Sequence, residues 1–334
     1  VWTQITVDPD AGLVYLPVET PTVDLYGGNR PGDNLFAESL VAVDLHTGKR
    51  KWHFQIVHHP LWDHDLSSAA MVVDIDVDGK PVKAIAMPTK QSFLYMFDRI
   101  TGKPIWPIPE KPVPQTDVPG EVTSATQPIP TRPAPYARAW VKPSDIIDFT
   151  PELHAQAMEN LKHYRWLQSP YVPPLVPNPD KYLAAINIGN FNGGTNWPGG
   201  SLDPVRKVAY IQANNSSINA TAIEPVPPER GDAGYTSGGG ASGGPMSGPY
   251  ALDKVNEEHP MPQGQGRGGL GIDTRQLTKG LQGLPILKPP YGVLTAIDLD
   301  TGDQLWQVPH GETPDYIRHN PALKGIDLPR TGQG

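Results

Sequence analysis

The chain has 334 residues, of which 34 are Gly and 40 are Pro, about 22% of all positions against a usual share of roughly 12%, which excludes a mostly helical protein. Hydrophobic residues make up 38% and charged residues 19%, too apolar and too weakly charged for a disordered chain, so an all-β, turn-rich fold is expected. A net charge of −8 without a basic run offers no footprint for nucleic acid or an anionic membrane, and the absence of Cys excludes disulfides, Cys-ligated zinc, iron–sulfur clusters and a C-x-x-C-H haem attachment.

The first predicted element is an Asp-Pro hairpin, Val7-Asp8-Pro9-Asp10-Ala11-Gly12-Leu13-Val14-Tyr15-Leu16, which recurs at Leu202-Asp203-Pro204-Val205-Arg206-Lys207-Val208-Ala209-Tyr210-Ile211. Next comes an apolar strand from Leu40 to Asp44, a Thr47-Gly48 turn and Trp52, eight residues after the Asp. The same template returns at Asp98, Thr101-Gly102 and Trp106, and again at Asp298, Thr301-Gly302 and Trp306. Each copy reads as a β-hairpin in which Asp bonds the turn backbone and Gly supplies φ > 0. A Trp at a fixed offset suits a flat wedge between neighbouring sheets, its N–H reaching a backbone acceptor. That is the logic of a β-propeller blade, with each Asp-Pro hairpin opening a blade and each Thr-Gly-Trp hairpin closing it. Unrelated hairpins in a β-sandwich would not repeat the Trp offset.

Asp44 to Asp98 spans 54 residues, near one blade of about 40–50. Asp98 to Asp298 spans 200, room for three blades plus added material, so the spacing predicts about five blades in one partial propeller domain over residues 1–334. Two insertions are expected. Residues 107–166 comprise a Pro-rich connector and a short helix, with Thr150 as N-cap, Pro151 at its first position, Glu152 in its first turn, and Leu153, Ala157, Leu161 and Tyr164 on one face. Residues 231–271 form a Gly/Ser/Pro-rich loop, either a spacer or a lid.

The densest polar cluster is His58-His59-Pro60-Leu61-Trp62-Asp63-His64-Asp65. Taken alone it reads either as a metal site or as a polar turn. In an extended strand Asp63 and Asp65 share a face and His64 lies opposite.

Taken in order, Trp2, Asp24-Leu25-Tyr26-Gly27-Gly28-Asn29-Arg30, the Leu40–Trp52 strand, His58-His59-x-x-Trp62-Asp63-x-Asp65, Ala86-Met87-Pro88-Thr89-Lys90 and Asn196-Trp197 resemble the pyrroloquinoline quinone (PQQ) dependent dehydrogenases, in the branch near membrane-bound glucose dehydrogenase. The resemblance implies an eight-bladed propeller holding PQQ near its axis, with the cofactor carrying the redox chemistry. It also implies Asp63 as the base that takes a hydroxyl proton and Lys90 as the cation beside the quinone oxygens, a cation that would hold Asp63 ionised. Trp2 then stacks under the cofactor, and Asn196 and Trp197 contact its rim.

One departure concerns the metal. Where the family has Thr-Gly-Asn, with Asn as a calcium ligand, this chain has Val18-Glu19-Thr20. The candidate ligands for Ca²⁺, or another hard ion including a larger trivalent one, are therefore Asp63, Thr20, Glu19 and Asp65. The family's earlier blades and its last blade also lie outside this stretch, so the interior of a longer protein is expected. The function implied is oxidation of an alcohol or sugar hydroxyl, with electrons passing to a membrane quinone or a cytochrome. A periplasmic location is implied, with any membrane association supplied by regions outside this chain. The alternatives are a non-catalytic propeller scaffold and an incomplete, inactive fragment.

Overall fold

The three Thr-Gly turns fold into one structure repeated three times. In the computed structural model, which describes residues 1–21, 24–226, 234–236 and 275–333, Asp44 Oδ1 accepts from the N–H groups of His46 and Thr47 at 3.1 and 2.9 Å. Asp98 Oδ1 accepts from Ile100 and Thr101 at 3.0 and 2.8 Å, and Asp298 Oδ1 from Asp300 and Thr301 at 2.9 and 3.1 Å. The glycine that follows is left-handed in every copy, with φ of 67°, 72° and 73° at Gly48, Gly102 and Gly302, a conformation in which a side chain is costly.

These turns close the predicted units. One sheet orders β1 (Thr6–Asp8), β2 (Leu13–Pro17), β3 (Ser39–Asp44) and β4 (Arg50–Gln55) as consecutive antiparallel neighbours. A second has β5 (Met71–Val77), β6 (Lys80–Pro88) and β7 (Leu94–Asp98), extended by an isolated bridge between Phe97 and Pro104. The Pro-rich connector holds only the ribbon of β8 (Glu110–Pro112) and β9 (Thr126–Pro128). Beyond it lie β10 (Tyr164–Arg165), β11 (Ala184–Ile188), β12 (Gly200–Asp203), β13 (Val208–Asn214), β14 (Ile218–Thr221), β15 (Glu224–Pro225), β16 (Tyr235–Thr236), β17 (Gly292–Asp298) and β18 (Gln304–Pro309). Of these, β10-β11-β14 form a three-stranded sheet, β15 and β16 a ribbon, and β12-β13-β17-β18 a second four-stranded sheet. The Asp-Pro hairpin and the Thr-Gly-Trp hairpin of this last sheet pair edge to edge although residues 215–291 separate them.

The repeat extends to its irregularities. Ala42 pairs with Trp52 and Val43 with Arg50, and likewise Ala296 pairs with Trp306 and Ile297 with Gln304, so each closing hairpin carries a bulge one residue before its Trp. Such a bulge raises local twist and re-aims the following side chain. Among the described residues, the interval that spacing alone filled with three blades holds one three-stranded sheet, two ribbons and three of the four strands of the last sheet. The difference goes into the connector and into the helix α1 (Pro151–Leu161), which is N-capped by Thr150 Oγ1 accepting from the Leu153 N–H at 3.2 Å. Its buried face, Leu153, Ala157 and Leu161, packs on Ala184, Ile186 and Ala220 of the adjacent sheet. Apart from 234–236, the Gly/Ser/Pro-rich loop at 231–271 lies outside the described residues.

Trp52 is buried as a wedge. Its Nε1–H donates to the Arg99 carbonyl at 3.0 Å, and its ring fills the place of a side chain at Gly102, where a Cβ would stand 2.6 Å from the indole. At Gly302 a Cβ would meet the Arg132 side chain at 2.5 Å and the Trp106 ring at 3.0 Å. Each Trp therefore docks beneath the Thr-Gly turn of the next unit, the packing that makes its fixed offset necessary. Trp306 is 42% exposed and packs on Tyr210 of its own sheet. Among the described residues, no helix is long and apolar enough to cross a membrane.

Candidate active site

Asp63 and Asp65 lie two residues apart after β4, and both reach the same ammonium. Lys90, just beyond β6, has a side chain only 1% exposed, and its Nζ donates to Asp65 Oδ2 at 2.8 Å, Asp63 Oδ2 at 3.3 Å and the Asp63 carbonyl at 3.0 Å. The two carboxylates thus meet on one cation, but not by strand alternation, since residues 61–67 form no strand. Asp63 has a left-handed φ of 55°, a conformation that a non-glycine residue keeps only where its surroundings hold it.

Those surroundings come largely from the Pro-rich connector. Gln127, fully buried, donates to the His58 carbonyl and accepts from the His58 N–H, both at 2.8 Å. Glu121 bonds His59 Nε2 at 2.9 Å, while His59 Nδ1 faces the Gly32 carbonyl at 2.7 Å. The carboxylate also accepts from the Gly27 and Val122 N–H groups. Burial pushes the Glu121 carboxyl up, but the bonds from His59, Gly27 and Val122 outweigh it and hold the group below its ordinary value. A Cβ at Gly27 would come within 2.4 Å of His59 Nε2, so this loop closes only with glycine there. Arg30 donates to the Pro60 carbonyl at 2.6 Å, and Trp62 Nε1–H to that of Val172 at 2.9 Å. His59 and the His58 backbone therefore tie Glu121 and Gln127 of the connector against the loop carrying Asp63.

Lys90 does not hold Asp63 ionised, contrary to the expectation from sequence. Burial, followed by the charges of Asp65 and Asp24, outweighs the ammonium and raises the Asp63 carboxyl to about 8. Burial and Asp65 likewise raise Asp24. His64, which stacks on Trp62 at 6.1 Å and is fully buried, is pushed down to about 3 by burial and by Lys90, and so stays neutral.

Thr20 joins this cluster through its backbone, its N–H donating to Asp65 Oδ1 at 2.7 Å. Glu19 points away: it pairs with the Val1 ammonium at 3.4 Å and its side chain is 44% exposed. Trp2 is thereby tied, through its neighbour Val1, to the strand end that carries Thr20. On the opposite side the Gly194 N–H donates to the Lys90 carbonyl at 2.7 Å and the Thr195 N–H to that of Thr89 at 3.3 Å. The segment bearing Asn196 and Trp197 is thus fastened alongside Lys90. The Asn196 amide is spent within that segment, accepting from the Trp197 N–H and donating to the Phe191 carbonyl, while the Trp197 indole is open, at 58% exposure. Two surface clefts lie elsewhere, one along Thr150, Glu152 and Gln156 and one by Asn214, Tyr291 and Tyr316, and neither contains the Asp63 cluster.

Sequence reasoning assigned no role to Glu38, Glu121 or Gln127. Glu38 had a signal: it is the one acidic side chain in the apolar run Leu35-Phe36-Ala37-Glu38-Ser39-Leu40-Val41. The pairing of Glu121 and Gln127 with residues some 60 to 70 positions away left none.

Four-stranded antiparallel sheets, each opened by an Asp-Pro hairpin and closed by a Thr-Gly-Trp hairpin, with Trp52 and Trp106 against the following Thr-Gly turns, define a β-propeller, and a carboxylate pair on a buried lysine sits at the loop ends. The chain belongs to the PQQ-dependent dehydrogenase propellers: residues 1–333 match the family described as "PQQ: Glucose/ethanol/alcohol dehydrogenase, beta-propeller domain". It is 31% identical to the quinate/shikimate dehydrogenase (quinone) of Acinetobacter baylyi, over 94% of this chain and 36% of that protein. It is 32% identical to the quinoprotein glucose dehydrogenase of Gluconobacter oxydans, over 98% and 38%, and 32% identical to the glycerol dehydrogenase large subunit of the same organism, over 93% and 40%. The chain spans about two-fifths or less of the length of these relatives.

Proposed function

We propose that this chain forms the reaction site of a PQQ-dependent dehydrogenase that oxidises an alcohol or sugar hydroxyl. The observation that carries the reading is the sharing of Lys90 Nζ by Asp63 and Asp65. It produces a carboxylate fixed in position yet 15% exposed, beside an ammonium that water cannot reach.

The residues present fit the group that the family implies. Lys90 offers a cation for quinone or carboxylate oxygens, and Trp2 and Trp197 offer open indole faces to a flat ring system. The Asn190 amide, buried beside His64, has neither its nitrogen nor its oxygen in a well-formed hydrogen bond, as a residue kept for a polar ligand would. When bound, PQQ supplies the acceptor for the hydride that leaves the substrate carbon. Once ionised, which its raised value of about 8 places at mildly alkaline pH, Asp63 takes the hydroxyl proton on its carboxylate, and the substrate leaves as a carbonyl compound. Lys90 orients Asp63 through two contacts and places positive charge where negative charge develops. Asp65, bonded to both Lys90 and the Thr20 N–H, fixes the lysine in turn. Asn196 orders the segment that presents Trp197.

Substrate class and electron acceptor follow the relatives by analogy: a polyol, sugar or cyclic hydroxy acid, with a membrane quinone or cytochrome taking the electrons in a periplasmic setting. The test is reconstitution with PQQ and Ca²⁺, a redox dye and a panel of alcohols and sugars, with Asp63→Asn in parallel. Loss of a general base removes about 10²–10⁴-fold in rate, so turnover by the variant within a few fold of the parent would refute the role of Asp63. A titration showing no saturable change in PQQ absorbance would instead favour a binding scaffold.

A further inference from the structure

Glu38 directly precedes β3, the strand that leads into the first Thr-Gly turn, and its side chain is buried. Its φ is +43°, and its backbone is held on both sides, the N–H donating to the Glu19 carbonyl at 3.1 Å and the carbonyl accepting from the Ile56 N–H at 2.8 Å. The residue is fully buried, and neither carboxylate oxygen has a hydrogen-bonding partner. The Thr20 hydroxyl, close by, is equally buried and also lacks one; the two face each other without the geometry of a hydrogen bond. Beyond Thr20, the charges that act on Glu38 are those of Asp65, Asp63 and Lys90.

A buried carboxylate without a partner costs several kcal/mol, and natural proteins keep one only where something compensates it. Counting charge shows the deficit. Asp24, Asp63, Asp65 and Glu38 have Lys90 and Arg30 as their cations, and Arg30 is shared with Glu121 as well, so carboxyl groups outnumber cations around this cluster. Among the described residues, no three His, Asp or Glu side chains converge as a ready metal centre. The oxygens that do gather here are two carboxylates and a hydroxyl, a hard donor set with positions left for water or for ligand oxygens.

We propose that Glu38, with the Thr20 hydroxyl and Asp65, holds a hard divalent or trivalent cation beside Lys90, and that Glu38, not Glu19, makes up for the Asn ligand this chain lacks. The inference deepens the reading of this cluster as a dehydrogenase site, but cation binding is measured without turnover, so either can fail while the other stands.

The probes are Tb³⁺, read by luminescence on tryptophan excitation, and Ca²⁺ as its competitor, applied to the whole chain. One Tb³⁺ should bind and be displaced by Ca²⁺. Glu38→Gln should weaken binding at least about tenfold, since carboxylate count sets affinity at such sites, and Thr20→Val should weaken it less, whereas Glu19→Gln should leave it unchanged. Thermal unfolding supplies a second readout of opposite sign. Without metal, Glu38→Gln should melt above the parent, because the parent must suppress the ionisation of a buried, unpartnered carboxyl and the amide need not, and it should lose the rise that Ca²⁺ gives the parent. If Glu38→Gln does not fold, Thr20→Val and Glu38→Asp carry the comparison. Wild-type affinity in those variants, or weakened binding in Glu19→Gln alone, would overturn the assignment.

Discussion

The Lys90 ammonium lies 2.8 Å from Asp65 Oδ2, so the deepest cation of the site is fixed by a carboxylate other than the one that faces solvent. The pair acts as a buttress for Asp63. Removing one partner of a buried ion pair costs about 3–5 kcal/mol, because the remaining charge is left uncompensated. Lys90→Met should destabilise the chain by that order, measured as a lower urea midpoint at unchanged slope. A loss below about 1 kcal/mol would mean that the carboxylates find their compensation elsewhere.

The raised Asp63 carboxyl sets a pH dependence of definite sign. Its folded value of about 8 lies above the ordinary 3.8, so between these values the folded chain keeps a proton that the unfolded chain releases. Stability then falls as pH rises through that window. Asp63→Asn removes this contribution. Compared at a series of pH values by thermal unfolding, the parent should lose stability relative to the variant from roughly pH 4 to pH 8 and run parallel to it above. A parent that gains on the variant across this range would contradict the burial assigned to Asp63.

Gly48 and Gly102 occupy the same position in two copies of one turn, with φ of 67° and 72°. A Cβ meets nothing within 4 Å at Gly48 and lies 2.6 Å from the Trp52 ring at Gly102. Gly48→Ala should cost about 1–2 kcal/mol for the left-handed backbone alone. Gly102→Ala should add about 1–3 kcal/mol for overpacking against the indole. Chemical denaturation of the two variants measures the difference, which is the energetic signature of the wedge. Equal losses would remove the Trp docking from the account of how the sheets are held.

The repeats were legible because they are local. Asp44, Asp98 and Asp298 each bond N–H groups two and three residues ahead, and the glycines complete the turn, so backbone chemistry within ten residues dictates each hairpin and its recurrence reveals the propeller. The helix after Thr150 was legible for the same reason. Asp63 and Asp65 share a cation through a left-handed turn at Asp63, not through the alternation of an extended strand, and that turn left no trace in the pattern.

What the sequence determined by itself was therefore the hairpin unit, its Trp, the helix and the carboxylate pair. The tertiary structure decided which groups compensate that pair, because burial and pairing depend on side chains brought together from distant positions. It set Glu19 at the surface and Glu38 in the interior, although both are acidic residues beside strands. It also turned a Pro-rich stretch that looked like a spacer into the support of the Asp63 loop, since Glu121 and Gln127 meet His59 and His58 only once the chain has folded. And it reversed the expected charge state of Asp63, where desolvation in the folded site exceeds the attraction of a single lysine.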